Sequence, residues 1–277
     1  MKILIRGAGD IATGIALRLY RAGMQVVMTD LPAPTAIRRT VCFSQAIILG
    51  EMTVEDVTAR RAETSDQAEA LLAQGLIPVL ADPDCTCRTR LRPDALVDAI
   101  LAKRNLGTKI DDAPIVVGIG PGFTAGEDCH AVVETMRGHT LGRVIYRGSA
   151  LPNTNIPGLI GGYAGERVLR APAEGIFCQK LEIGAVVRAG DVAGEVAGQP
   201  MRCTIGGVLR GILADGTPVF RGMKAGDVDP RCKPEYCTTA SDKALAVGGG
   251  VLEAVLHLHH RNRPAEKQSQ FTGGALL

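Results

Sequence analysis

The sequence predicts an α/β protein, with a parallel sheet covered by helices on both faces and a small all-β module after it. Strand-like apolar segments alternate with helical patterns over the first 165 residues, which is typical of a parallel sheet. From Arg167 onward the apolar pieces are short and no helical period remains. The segment Arg188-Ala-Gly-Asp-Val192 is echoed by Lys224-Ala-Gly-Asp-Val228. This repeat indicates two similar halves of a barrel-sandwich resembling biotinyl and lipoyl domains.

The first 30 residues have the pattern strand, glycine turn, helix, strand. An apolar strand at 2–6 leads into Gly7-Ala-Gly-Asp-Ile-Ala12, which has G-x-G-x-x-A spacing, and a second apolar strand follows at 25–29. In a Rossmann-like unit the first glycine makes the tight turn and the second lets a phosphate approach the backbone. The small third residue lets the helix pack against the strand. We therefore predict that Gly7, Gly9 and Ala12 form a phosphate turn at a helix N-terminus.

Two carboxylates accompany this turn. Asp30 lies 23 residues after Gly7, where such folds place the carboxylate that binds a ribose. Asp10 lies within the turn and would repel a pyrophosphate unless a cation or a ligand donor offsets its charge. In the alternative interpretation Asp10 only caps the helix, and the whole unit is structural without a nucleotide-type ligand.

A second glycine-rich loop follows the apolar strand at 114–119. Its sequence is Gly120-Pro-Gly-Phe-Thr-Ala-Gly126, and loops at the carboxyl ends of sheet strands are where open α/β sheets bind ligands. We expect Gly120, Gly122 and Phe123 to close the cofactor cleft opposite the first turn. A helix is predicted before this strand, opened by Pro93 and carrying apolar residues at 96, 97, 100 and 101.

The segment Asp128-Cys129-His130 is the densest reactive cluster. A thiolate is a nucleophile and a ligand for soft metals, and a neighbouring imidazolium would lower the pKa of the thiol. We therefore assign Cys129, His130 and Asp128 as candidate catalytic residues. In the alternative interpretation Cys129 packs as a small apolar group and His130 bonds a carbonyl group.

No metal site is predicted. Cys85-Thr-Cys87 lacks the spacing of a zinc knuckle, and the histidines at 257, 259 and 260 fit a solvated helix end. The eight cysteines are scattered through a chain with a large core, which favours free thiols in a reducing cytoplasm.

Composition excludes two classes of partner. The net charge is +2 and there is no Trp, so neither a nucleic-acid surface nor a base-stacking platform is expected. No run of 18 apolar residues is present, so no membrane-spanning helix is expected. We divide the chain into a Rossmann-like nucleotide-binding domain at 1–165, a β barrel-sandwich at 166–232, a helical segment at 233–260 and a disordered tail at 261–277.

Seven motifs together resemble the selenium-dependent molybdenum hydroxylase system proteins. They cover nearly the whole chain up to about residue 258 and are Arg6-Gly-Ala-Gly-Asp-Ile-Ala-Thr-Gly14, Asn105-Leu-Gly-Thr-Lys-Ile110, Gly118-Ile-Gly-Pro-Gly-Phe-Thr-Ala-Gly126, Asp128-Cys-His-Ala-Val-Val-Glu134, Arg137-Gly-His139, Gly148-Ser-Ala-Leu-Pro-Asn-Thr154 and Gly226-Asp-Val-Asp-Pro-Arg231. That family is distantly similar to accessory proteins that mature xanthine dehydrogenase. Cys85-Thr-Cys87 and the C-terminal tail lie outside the pattern.

The resemblance implies an accessory or maturation protein that handles a pyrophosphate-bearing cofactor, either molybdopterin dinucleotide or NAD(P). Its implied partners are a molybdenum hydroxylase apoprotein, or the maturation factors of that enzyme, and a second copy of the chain is a further candidate. In this interpretation Cys129 handles sulfur, selenium or the metal centre, and His130 tunes it. Two alternatives stay open: an NAD(P)-dependent oxidoreductase with His130 as acid and base, and a non-catalytic scaffold whose all-β module docks a hydroxylase.

Overall fold

The computed structural model describes residues 1–154 and 156–262. Its largest sheet is mixed and has nine strands. Its strands and the short pair beside it are β1 (Lys2–Arg6), β2 (Gln25–Asp30), β3 (Glu51–Val54), β4 (Val57–Ala62), β5 (Ile77–Ala81), β6 (Ala95–Asp98), β7 (Val116–Ile119), β8 (Thr124–Ala125), β9 (Ala131–Val133), β10 (Val144–Ile145) and β11 (Gly148–Ser149). The order is β10-β9-β7-β6-β1-β2-β5-β4-β3, and β11 pairs with β8 separately.

Five helices accompany the strands in the described residues. They are α1 (Asp10–Arg21), α2 (Gln45–Leu49), α3 (Ser65–Ala73), α4 (Arg88–Leu91) and α5 (Asp242–Arg261). Helices α1 and α5 share a hydrophobic core with one face of the sheet, whereas α3 packs on the other face. Within 1–154 and 156–262, no helix is both long and apolar enough to cross a bilayer.

The residues from 168 to 229 form two four-stranded antiparallel sheets. Their strands are β12 (Val168–Arg170), β13 (Gly175–Gln179), β14 (Val186–Val187), β15 (Val192–Val196), β16 (Gln199–Arg202), β17 (Gly207–Ile212), β18 (Pro218–Val219) and β19 (Lys224–Asp229). One sheet has the order β12-β19-β17-β14 and the other β16-β15-β13-β18. The core of this β region contains the fully buried Phe177.

The predicted fold class, a Rossmann-like parallel sheet plus a barrel-sandwich module, is wrong. The large sheet is mixed, because β3 pairs antiparallel with β4 and β10 pairs antiparallel with β9. The remaining chain forms two separate antiparallel sheets, and the described pairings do not join them into one barrel. Short strands explain the error, since their apolar runs carry too little periodicity to give strand direction.

The helix predicted after Pro93 is also wrong. Residues 95–98 form β6, a strand between β1 and β7 that is buried on both faces. A short apolar run of this kind is compatible with a buried strand as well as with a helix. Its pairing with β1 and β7 shows that it is a strand. The predicted tail at 261–277 lies, from 263 onward, outside the described residues.

Helices α1 and α5 pack side by side at unusually close range. A Cβ atom on Gly14 would lie 2.5 Å from the Ala244 Cβ atom, and one on Gly248 would lie 2.8 Å from the Gly14 carbonyl oxygen and from the Arg18 Cγ atom. Residue numbers therefore rise together along both helices, so α1 and α5 run parallel. Their N-termini lie at the same end of the sheet.

The adjacent glycines of α5 test this packing. We expect Gly248→Ala to lower the free energy of unfolding by about 1–3 kcal/mol, because its methyl group would press on α1. Gly249 is exposed with no atom near its ideal Cβ position, so Gly249→Ala should raise that free energy by roughly 0.5–1 kcal/mol through helix propensity. Urea unfolding of both variants measures the difference, and equal effects would contradict the close packing.

Candidate functional site

A cleft of about 1330 Å³ lies at the carboxyl ends of the parallel strands. The loops after β1, β2, β5, β6 and β7 line it on one side, and residues of the β region line it on the other. Strand order reverses at β1, with β2 on one side and β6 on the other. Open α/β sheets bind ligands at such a reversal, so the cleft is the candidate site.

Gly7 and Gly9, the two glycines of the first turn, differ in whether the fold itself requires a glycine. Gly7 has φ +102°, and a Cβ atom there would lie 2.8 Å from the Ala99 carbonyl oxygen, so the fold itself requires it. Gly9 has φ −70°, an ordinary value, and an added Cβ atom would meet nothing within 4 Å. Gly9 lines the cleft, so the space above it is open to a ligand.

Asp30 holds the turn in place. Its two carboxylate oxygens accept hydrogen bonds from the backbone N–H groups of Ala8 and Leu31, each at 2.7 Å. Burial raises the pKa of this carboxyl group, and the two N–H donors partly offset that effect. Asp30 also lines the cleft with Ala12, and its contact with a ribose stays a prediction.

In each of the parallel helices α1 and α5, an arginine pairs with the aspartate at the first helical position. Arg38 Nη1 lies 3.4 Å from Asp10 Oδ2, and Arg137 makes two hydrogen bonds with Asp242, at 2.7 and 3.0 Å. The Arg137 guanidinium lowers the pKa of Asp242 to about 2. Asp10 also accepts the N–H of Ile11, so the repulsion expected from this carboxylate is offset by the protein itself.

Basic side chains outnumber acidic ones in the cleft. The nine basic residues are Arg6, Arg38, Lys103, Arg137, Arg167, Arg170, Arg210, Lys224 and Lys243, and the four acidic residues are Asp10, Asp30, Asp84 and Asp227. Most of the arginines in this set form ion pairs with carboxylates, whereas Lys224 on β19 and Lys243 on α5 do not.

The side chains of Lys224 and Lys243 have no hydrogen bond or ion pair with any residue that the structure describes. Burial lowers the pKa of both ammonium groups. The charge of Arg137 lowers the pKa of Lys243 further, whereas Asp10 opposes the shift. Lys103 and Arg170 also lack an ion pair within the described residues, but they donate hydrogen bonds to Asn153 Oδ1 and to the Gly222 carbonyl oxygen.

A buried charge network holds the β-region side of the cleft. Asp227 accepts hydrogen bonds from Arg167 Nη1 and Arg210 Nε, each at 2.9 Å, and Arg210 Nη1 also reaches Asp229 at 3.1 Å. Arg167 donates in addition to the carbonyl oxygen of Gly158 at 3.0 Å. The network therefore ties β17 and β19 to the loop that borders the cleft.

The second glycine loop reaches the cleft only through Pro121 among residues 120–126. A Cβ atom on Gly120 would lie 2.7 Å from Thr135 Oγ1, and one on Gly122 would lie 2.6 Å from the Arg104 Cα atom. Phe123 is buried against Gly118. The structure thus gives these three residues packing roles in place of the expected cofactor contact.

Asp128, Cys129 and His130 lie outside the cleft, in or beside the core on the other face of the sheet. Asp128 accepts hydrogen bonds from Thr124 N–H at 2.8 Å and from Asn105 Nδ2 at 3.1 Å. His130 Nδ1 accepts the N–H of Val116 at 3.0 Å, and burial lowers the pKa of this histidine.

Burial raises the pKa of the Cys129 thiol to about 11, and the Asp128 charge adds to this shift. A neutral His130 cannot counter it. The shift is opposite to the one expected of an activated nucleophile, so the geometry favours the packing interpretation of Cys129, and the catalytic assignment of the three residues stays a prediction without support from the structure.

Sequence reasoning missed the basic residues of the cleft. Arg38 and Lys243 lie in segments without a recognised motif, whereas Arg137 and Lys224 lie within recognised segments but had no assigned role. Their convergence depends on tertiary contacts between distant parts of the chain.

Comparisons with known proteins identify one close sequence relative. No family model matches the chain. The uncharacterized protein YqeB of Escherichia coli (strain K12) is 52% identical over 266 residues, which are 96% of this chain and 49% of that protein. The chain thus spans about half the length of this curated relative.

Three solved structures have low similarity to the chain. An aspartoacylase family protein from Mesorhizobium loti is 12% identical, covering 53% of this chain and 60% of that one, with a TM-score of 0.23. A succinylglutamate desuccinylase/aspartoacylase from Rhodobacter sphaeroides is 19% identical, covering 49% and 58%, with a TM-score of 0.21. The ectoine utilization protein EutE (DoeB) of Ruegeria pomeroyi is 12% identical, covering 82% and 85%, with a TM-score of 0.24.

These comparisons correct the terms used for the chain. The description of the chain as Rossmann is wrong because the large sheet is mixed. None of the relatives and structures named above is described as a selenium-dependent molybdenum hydroxylase, so that description is not retained either. TM-scores of 0.21–0.24 are too low to transfer a fold or an activity in turn.

Thiol alkylation tests the packing role of Cys129. At pH 8 we expect iodoacetamide to modify the exposed Cys232 quickly and Cys129 only after unfolding in urea, because the Cys129 thiol is buried with a pKa of about 11. Peptide mapping by mass spectrometry reports each site. Rapid labelling of Cys129 in the folded protein, slowed by His130→Ala, would instead show an activated thiol.

Proposed function

We propose that the protein binds a pyrophosphate-bearing, nucleotide-type ligand in the cleft, with the phosphates at the paired N-termini of α1 and α5. The parallel arrangement of these two helices is the observation that carries the proposal. An α-helix N-terminus carries roughly half a positive charge and presents free N–H groups. Two such ends beside one cleft form a site for an extended anion.

The side chains around the two helix ends support an anionic ligand. Arg38 and Arg137 compensate the carboxylates of Asp10 and Asp242, so these acids do not cancel the helix dipoles. Lys243 lies in the first turn of α5, where a cation is electrostatically unfavourable unless an anion joins it. A bound phosphate would relieve this repulsion and pair with an ammonium group that has no other partner.

Gly9 supports the same placement. Neither backbone conformation nor packing requires a glycine there, whereas close approach of a phosphate to the α1 N-terminus does. Molybdopterin dinucleotide and NAD(P) both carry a pyrophosphate and are the candidate ligands. An accessory role in cofactor maturation, its hydroxylase partners and a cytoplasmic location stay predictions.

Neither alternative function has a specific observation in its favour. An oxidoreductase with His130 as acid and base would need this residue in the cleft, and His130 lies outside it. A docking scaffold would not require a cleft in which helix N-termini and cationic side chains form a binding site for an anion.

Isothermal titration calorimetry with inorganic pyrophosphate, NADH and NADPH tests the proposal. We expect at least one of them to bind, and Lys243→Gln to weaken its binding roughly ten- to hundred-fold, because a charge-assisted hydrogen bond of about 1.5–3 kcal/mol is lost. Gly9→Val should abolish binding while the circular dichroism spectrum stays unchanged, since its side chain enters open space.

The matched control is Lys180→Gln, which removes a lysine paired with Glu195 outside the cleft and should leave binding unchanged. Absence of binding for all three compounds, or equal affinity in wild type and Lys243→Gln, would contradict the proposed site.

A further inference from the structure

Lys224 occupies a distinctive position in the cleft. It is the first residue of β19 and pairs with Arg170 of β12. Its side chain lines the cleft and is accessible to solvent. Among the residues that the structure describes, none makes a hydrogen bond or ion pair with this side chain.

The charges around Lys224 disfavour a second positive charge. The charges of Arg167 and Arg210 disfavour the ammonium form; both guanidinium groups pair with Asp227, and Arg210 also reaches Asp229. Asp227 and Asp10 attract the ammonium group, but burial in the cleft outweighs them and lowers the pKa of Lys224. More of its amine is therefore neutral near pH 7 than for an ordinary lysine with a pKa of about 10.4.

Lys243 is the less suitable nucleophile of the two. It belongs to the first turn of α5, where the proposed phosphates lie, so its charge is needed for binding. Lys224 belongs to the β region, and its ammonium group is close enough to Asp10 at the α1 N-terminus and to Lys243 to interact electrostatically with both. A ligand whose phosphate contacts the helix ends would therefore hold a nearby carbonyl group within reach of Lys224.

We propose that the Lys224 amine acts as a nucleophile that forms an imine with an aldehyde or ketone group of a phosphate-bearing ligand. The inference rests on the proposed function for how the carbonyl group is delivered to Lys224. A lysine in a cleft beside other cations, whose charges disfavour its ammonium form, is an arrangement that favours imine formation.

The reaction balances without a further reactant. The nitrogen lone pair attacks the carbonyl carbon, a C–N bond forms as the C=O π bond opens, and the oxygen takes up one of the two amine protons to give a carbinolamine. Loss of the hydroxyl group with the remaining nitrogen proton releases one water molecule and leaves the C=N bond. No oxidation or reduction occurs.

A matched pair of aldehydes tests the inference on the full chain. Pyridoxal 5′-phosphate and pyridoxal differ by one phosphate, and sodium borohydride traps either imine as a stable amine that peptide mapping locates. We expect pyridoxal 5′-phosphate to label Lys224 at least ten-fold faster than Lys180, the solvent-exposed lysine paired with Glu195. Lys224→Arg should lose this label and retain pyrophosphate binding, because the positive charge remains.

The outcomes separate the two proposals. Labelling of Lys224 no faster than that of Lys180 with either aldehyde would overturn the imine inference, whereas pyrophosphate binding in calorimetry would still support the proposed function. Fast labelling of Lys224 by both aldehydes at equal rates supports the nucleophile and counts against the phosphate site. Fast labelling by the phosphate form alone, slowed in Lys243→Gln, supports both.

Discussion

The close parallel packing of α1 against α5 is the constraint on which the rest of the structure depends. Gly14 and Gly248 allow the two backbones to approach, and Ala244 fills the remaining space. Because α1 belongs to the first βαβ unit and α5 to the end of the described chain, this contact aligns segments more than 220 residues apart. It is also what brings two helix N-termini to one edge of the sheet.

The second constraint is the buried charge network around Asp227. Removing two guanidinium groups and their carboxylates from water is costly, and such a network is stable only when each member has hydrogen-bonded partners. Here Arg167 and Arg210 share Asp227, and Arg210 and Arg231 share Asp229. The network leaves no spare carboxylate for Lys224, which is why this ammonium group lacks a partner within the described chain.

Sequence reasoning located the first βαβ unit correctly, because β1, the glycine turn, α1 and β2 give strong periodic and turn signals. It failed for β6 and for the direction of β3 and β10, since runs of two to four residues do not reveal their pairing partners. It also treated the second glycine loop as a ligand site, although those glycines satisfy packing against Arg104 and Thr135. Glycine content alone does not distinguish close approach of a ligand from close approach of the protein's own backbone.

For a related reason, the sequence predicted only part of the candidate site. Gly7, Gly9, Ala12 and Asp30 are local in sequence and were found, whereas the basic residues converge through long-range contacts and were not. Arg38 shows the difficulty: its guanidinium joins Asp10 to the carbonyl oxygen of Tyr236, three segments that no spacing rule connects.

The Arg38 bridge has a consequence for how the protein is made. Residues 1–30 form the β1-α1-β2 unit, whereas Tyr236 and α5 are synthesised some 200 residues later. At ordinary elongation rates of about 5–20 residues per second, synthesis of α5 follows that of the β1-α1-β2 unit by on the order of ten seconds or more. During this time the face of α1 that packs against α5 has no partner from this segment. The apolar face of α1 that α5 later covers is therefore exposed to solvent during this interval.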